Sequence, residues 1–209
     1  MQNNNTPEIT VDYILGEPEG YDKFVFSLFN RSEDESKNFA HAVLGVVTEC
    51  DELLAAADHT NAIEEFGDLG FYVVAAMQVA RRVLGLTSEQ LSQELAETID
   101  LAEAELIGMS PQRLIVEMRT RIEDHAKRWV GYGKQPPLLQ ALVEVCTLAS
   151  CAVGSSLLAP SGGQACADVA TRANVAKLLE RYKGVTFSAE AAINRDTTAE
   201  RAVLEKHAA

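Results

Sequence analysis

The chain has 209 residues, 47% hydrophobic and 23% charged, a globular composition long enough to bury a core as one large domain or two small ones. A formal net charge of −13 argues against binding nucleic-acid polymers or anionic membranes, because both need a basic footprint. An anionic small substrate is compatible with that charge only where cations stand between it and the protein.

The first residues, "MQNNNTPEIT", lack a secretory pattern, and no uninterrupted apolar run approaches membrane-spanning length. Cys50, Cys146, Cys151 and Cys166 lack zinc-site spacing and read as reduced thiols. A soluble cytoplasmic protein is expected.

Residues 1–20 carry Asn, Pro, Gly and acids without periodicity and are predicted to form a loose arm. From 21 to 209 a single all-α domain is predicted. A short amphipathic helix covers about 21–30, and a long one about 37–57. "DHTN" breaks the chain before a third helix at about 61–84. Ser88 and Ser110 are plausible N-caps for the next two helices, with Pro111 suited to a first helical position. Two more follow at about 137–158 and 164–183, and "SAEAAINRDTTAERAVLE" resembles one terminal helix. No stretch alternates like a strand, so the default architecture is a helical bundle.

Chemistry concentrates in "VVTECDELLAAADHTNAIEEFGDLGFYVV", residues 46–74. Glu49 and Glu52 are three apart, as are Glu65 and Asp68, and residues three apart share one helix face. Helices joined by a short turn pack antiparallel, so the four carboxylates can converge. Asn61 with Glu64 fits a capping box, which would free Glu64 from the site. Four acids among apolar faces repel one another and suffer desolvation unless a cation neutralises them. All-oxygen ligands select hard ions, Mg²⁺ or Mn²⁺. Acid pairs three apart are also common on solvated helix faces, so the residues alone leave surface decoration on a non-catalytic binding or assembly module as the alternative.

The order Glu-x-x-Glu, twelve residues, Glu-x-x-Asp resembles the metal signature of the all-α nucleoside triphosphate pyrophosphohydrolases, the MazG-like and dimeric-dUTPase-like superfamily. "HAVLGVVTECDEL" (41–53) is similar to the metal helix of that family and "EEFGDLGFYV" (64–73) to its partner. "NVAKLLERYKGVTFSAEAAINRD" (174–196) resembles the C-terminal segment of phage-type members. The resemblance implies Mg²⁺-dependent cleavage of an NTP or dNTP, with a deoxynucleotide favoured, between the α and β phosphorus atoms. Glu49, Glu52, Glu65 and Asp68 would hold the metal, with Glu49 orienting the attacking water; for a phage-encoded member the compartment is the host cytoplasm. Thr48 departs from the family, where many members have another Glu.

His41 lies three turns from Glu52 on the same face, where a nucleobase contact and a capping or core role are both open. Tyr72, one turn past Asp68, suits core packing or stacking on a base. Gly67 and Gly70 read as close helix approaches. Asn174, Lys177 and Arg181 recur at helical spacing, as a solvated basic face would. The resemblance makes Asn174 and Lys177 candidates for ribose and phosphate contacts within a substrate-contact segment at 164–196, with Arg181 a weaker one.

Tyr132-Gly133-Lys134 matches a turn that in relatives sits between the two acidic motifs. Aligned on it, residues 111–158 read as a degenerate second copy of the catalytic pair 37–84, with Met118, Arg121, Ala141 and Glu144 at the acid positions. Two ordinary helices and a turn are the alternative. The resemblance also implies a dimer or tetramer, and a homodimer is expected if 111–158 is a fused second half; the Ala-rich terminal segment suits a helix packing outside its own bundle, and the net charge of −13 leaves Lys134 and Lys177 as the cations expected to approach the phosphates.

Overall fold

The computed structural model describes residues 9–106, 108–161 and 163–208, and among these it is all-α, without a strand. In chain order the helices are α1 (Val11–Gly16), α2 (Gly20–Leu28), α3 (Glu35–Ala55), α4 (His59–Leu84), α5 (Ser88–Leu106), α6 (Pro111–Tyr132), α7 (Leu138–Ser155), α8 (Gly163–Tyr182), α9 (Ala189–Ile193) and α10 (Thr197–His207). Two hairpins, α3/α4 and α6/α7, pack together as a four-helix bundle. α8 lies along α4, and α10 lies along α8.

The apolar stripe of α3, Phe39, Val43, Val46, Val47, Cys50 and Leu53, recurs at three- and four-residue steps and is buried throughout. Each large side chain so removed from water stabilises the fold by about 1.5–3 kcal/mol. It meets Ile63, Leu69 and Val79 of α4, Met118 and Ile122 of α6, and Leu142 and Leu148 of α7 in one core. Phe39 packs against Trp129 in a tilted pair, 5.5 Å between ring centres, tying α3 to α6. α7 has a mean hydropathy of 1.6 over 18 residues, enough by length and composition to cross a membrane, contrary to the expectation that no such run exists. It contacts α3, α4, α5 and α6, so it is the central helix of the bundle.

Local signals move several predicted boundaries. Residues 11–16 are helical, not a loose arm, because the Thr10 side chain caps them and Ile14 is buried with Phe24, Leu28, Val175 and Leu178; residues 1–8 lie outside the described part. Asp58, not Asn61, caps α4, accepting from Asn61 N at 2.8 Å, so the Asn61–Glu64 capping box does not form. Thr87 and Gln90, not Ser88, box the start of α5, with Gln90 N bonded to Thr87 Oγ1 and Thr87 N to Gln90 Oε1. Ser110 caps α6 and Pro111 opens it, as predicted. The predicted single terminal helix is two, because Asp196 turns back to cap a new helix through Thr198 N and Ala199 N. α10 then packs on α8 of its own chain, burying Leu204 and Glu200, so it does not project outward.

The second hairpin has the connectivity expected of a repeat, but its acid positions are differently filled. Met118 and Ala141 are buried in the core. Glu144 is buried too, held by His125 Nε2 at 3.0 Å and Arg121 at 3.6 Å. With Gln140 Nε2 at 3.4 Å as a third nitrogen partner, this carboxylate is a satisfied polar contact, not a cation site.

The two glycines of α4 differ. A Cβ on Gly67 would stand 2.7 Å from the Ala170 carbonyl oxygen and 2.8 Å from Asn174 Cβ, so α8 can approach only because Gly67 has no side chain. A Cβ on Gly70 would meet nothing closer than the Tyr21 hydroxyl at 4.0 Å. Gly67→Ala is therefore expected to lose about 1–3 kcal/mol through overpacking, whereas Gly70→Ala gains up to about 1 kcal/mol from helix propensity. Denaturant unfolding of the two variants checks the pair; equal effects would mean that α8 does not seat on Gly67.

Candidate metal centre and its cavity

α3 and α4 aim their acids into one cavity of about 490 Å³. One carboxylate oxygen from each of Glu49, Glu65 and Asp68 lies within 4.8 Å of the other two. Glu52 lines the same cavity but is exposed, at the rim and outside that trio. Glu64, expected to be freed by a capping box, lines it as well. The four expected acids are therefore three close together and one at the rim, with a fifth beside them.

The fifth faces inward because of α8. Lys177, 1% exposed, places its ammonium on Asp68 Oδ2 and, at 3.2 Å, on Glu64 Oε1. Asn174 donates from Nδ2 to Asp68 Oδ1 at 2.5 Å, and its own Oδ1 accepts from the Tyr21 hydroxyl at 3.3 Å. Both oxygens of Asp68 are thus held by α8. Glu49 and Glu65 have no hydrogen-bond or ion-pair partner among the described residues.

The electrostatics follow from that difference. Burial, then Asp68, Glu65 and Glu52, push the Glu49 carboxyl up to about 9. Burial, then Asp68 and Glu64, push Glu65 up to about 7. Burial opposes charge on Lys177, but Asp68 and Glu64 outweigh it, and the ammonium is held above its ordinary value. Two half-buried carboxylates without donors, beside a third fixed in place, suit a hard divalent cation. In its absence they retain protons.

Away from the acids the cavity is aromatic, lined by Phe29, His41, Phe71, Tyr72, Tyr182 and Phe187. His41 stacks on Phe29 at 4.5 Å and meets the edge of Tyr72 at 5.9 Å, and burial lowers its pKa, keeping it neutral. Tyr72 packs over Gly45, where a Cβ would come within 2.2 Å of its ring. Its hydroxyl is pushed up to about 12 by burial and then by Glu49 and Asp68, which puts Tyr72 between the aromatic and acidic ends.

Of the residues singled out in the sequence, His41, Tyr72 and Arg181 line the cavity, whereas Asn174 and Lys177 stand behind Asp68. Arg181 is committed, forming two bonds at 2.8 and 2.9 Å to the buried carboxylate of Glu200 on α10. Lys134 lies exposed in the α6–α7 turn and is not among the lining residues. Sequence reasoning passes over Asn30 and Arg195, which line the cavity from the α2–α3 loop and the α9–α10 break. No periodic pattern marks either one.

Two outcomes follow from the carboxylates. Glu49 and Glu65 bind protons more tightly folded than unfolded, so between about pH 5 and pH 9 the unfolded chain holds fewer protons and stability falls as pH rises. Thermal melts across that range are expected to show the fall without divalent cations and to lose most of it in millimolar Mg²⁺. Lys177→Met leaves Asp68 and Glu64 half-buried without their cation and is expected to cost on the order of 3 kcal/mol in denaturant unfolding. The cost should be larger at pH 8 than at pH 5, where the acids left behind take up protons. Comparison of the chain with protein-family models, curated proteins and solved structures finds no match, so the chemistry of the cavity is argued from its own residues.

Proposed function

We propose that the chain is a divalent-cation-dependent nucleoside triphosphate pyrophosphohydrolase, releasing pyrophosphate and a nucleoside monophosphate, with a deoxynucleotide the favoured substrate. The observation that carries this is the make-up of the cavity. Three carboxylates within 4.8 Å of one another share about 490 Å³ with an aromatic lining. A nucleotide has the same two characters, a polyanionic chain and a flat ring. The order and spacing of the acids resemble the family signature independently of that volume.

Glu49, Glu65 and Asp68 would hold Mg²⁺ or Mn²⁺, with Glu52 at the rim positioned to share a second ion. The bound cation supplies charge neutralisation for the phosphates and for the negative charge that develops as the α–β bond breaks. Asp68 is prevented from turning away by Asn174 and Lys177, which act as positioning residues. Glu49, freed of its proton once its neighbours are neutralised, can accept a hydrogen bond from the attacking water. His41 and Tyr72 offer flat faces for a base, and stacking on such faces is worth about 1–3 kcal/mol. α6/α7, with no cation site among its described residues, would be the supporting half of a duplicated pair.

The buried Lys177 favours one competing reading. An ammonium already sits on two of the five acids, as it would in a purely structural ion-pair cluster. The two readings separate on Glu49→Gln and Glu65→Gln. For an enzyme, each is expected to reduce Mg²⁺-dependent pyrophosphate release by on the order of 100-fold or more, while raising the melting temperature at pH 8, because the amide has no ionised form that burial and the neighbouring acids disfavour. For a structural cluster the same stabilisation appears, but the unsubstituted protein turns over no nucleotide with Mg²⁺ or Mn²⁺. Orthophosphate as the first product would place the cleavage at a different bond.

A further inference from the structure

An acidic cavity that takes a triphosphate needs cations of its own beyond the metal, and the ones nearest to hand are already engaged. Lys177 is bonded to Asp68 and Glu64, and Arg181 is bonded through two nitrogens to Glu200. Arg195 is different. It lines the cavity, it is exposed, and it has no hydrogen-bond or ion-pair partner among the described residues.

The chain around Arg195 is built to present it. α8 ends at Tyr182, and Lys183 turns the backbone with a φ of 50°. Residues 183–196 then pass over the cavity, contributing Phe187, Ala192 and Arg195 to its wall. The strap is tied at three points. Phe187 N bonds to Ser27 O at 3.4 Å, the Phe187 ring lies 5.9 Å from Tyr182, and Asp196 is fixed as the cap of α10. Between those points it is lightly held: α9 buries no residue and Ile193 is 80% exposed. The break at Asn194–Asp196 sets Arg195 at the cavity wall; a continuous helix from 189 to 207 would have no such break.

We infer that Arg195 is a phosphate-binding residue, supplied by the 183–196 strap to the polyphosphate chain of the substrate. This rests on the nucleotide reading of the cavity. A space of about 490 Å³ is only about 10 Å across if compact, so a guanidinium on its wall can reach an anion held at the acidic end. A planar fork of donors with no carboxylate partner suits phosphate oxygens, with which it can form paired bonds. The many acids lining the same space make an unpaired Arg there hard to explain as decoration, because an exposed cation meant only for solubility gains nothing from that position.

The test uses the full chain and inorganic tripolyphosphate with Mg²⁺, titrated by calorimetry, so that binding is read without turnover. Arg195→Ala is expected to weaken tripolyphosphate binding by about tenfold, the loss of one charge-assisted contact, and Arg195→Lys to recover part of it. Because Arg195 is exposed and forms no hydrogen bond or ion pair with another described residue, neither variant should shift the melting temperature. In turnover assays the same Arg195→Ala change should appear mainly in KM. Equal affinity of Arg195→Ala and the unsubstituted protein overturns the assignment, and so does a failure of the unsubstituted protein to bind tripolyphosphate. Arg195-dependent binding without turnover of any nucleotide would refute the proposed enzymatic activity and leave the phosphate contact standing. Turnover with a KM indifferent to Arg195 would do the reverse.

Discussion

Three carboxylates within 4.8 Å of one another repel strongly in a half-buried cavity, and much of the surrounding fold contains that repulsion. The containment is uneven. Asp68 is secured on both oxygens by Asn174 and Lys177, so its charge is stabilised, while Glu49 and Glu65 are given no donor. The uneven support divides the cluster into one fixed carboxylate and two that have no donor among the described residues. It also explains why α8 must come so close to α4, and hence why position 67 has no side chain. Removing the crowding would stabilise the protein, so its retention costs stability, as functional sites commonly do.

The cavity has two chemical ends because α3 and α4 each carry both. On α3, His41 and Glu49 are eight residues apart, a little over two turns, so one face runs from aromatic to acidic. On α4 the order is reversed, Glu65 and Asp68 preceding Phe71 and Tyr72, as an antiparallel partner requires if like is to face like. Gly45 lets the Tyr72 ring settle against α3 at the change-over. Two antiparallel helices with mirrored polarity thus set the acidic and aromatic ends of an amphiphilic slot, which the α2–α3 loop and the strap complete.

What the sequence reveals follows from how far each feature depends on distant chain. The acid pairs, the hairpin and the all-α class depend on periodicity within one or two helices, and helical spacing displays them directly. Glu64 is misjudged because its orientation is decided by Lys177, 113 residues later, which no local capping pattern reports. Lys177 itself reads as one cation on a basic face, yet it is almost fully buried, because burial here is set by three helices meeting. Lys134 is expected at the site through a turn motif, but α6/α7 packs on the far side of the hairpin and keeps its turn in solvent. Arg195 is hidden by an Ala-rich run that favours one helix; a single cap at Asp196 outweighs the propensity of the run.

The same cap bears on how the cavity is closed. A bare helical hairpin has one face to bury and another to offer, and a lone pair would need a second chain on both. Here α6/α7 covers the apolar face, while α8, the strap and α10 wall the acidic one, all in cis. The bidentate Arg181–Glu200 contact holds α10 against α8, and α10 in turn fixes the Asp196 end of the strap. Glu200 is buried, so this pair is oriented by packing and is not averaged by solvent. Its consequence for the cavity is indirect but physical. By engaging Arg181 it removes one cation from the wall, and by seating α10 it sets where the strap ends, so among the described residues the unpaired guanidinium at the wall is that of Arg195.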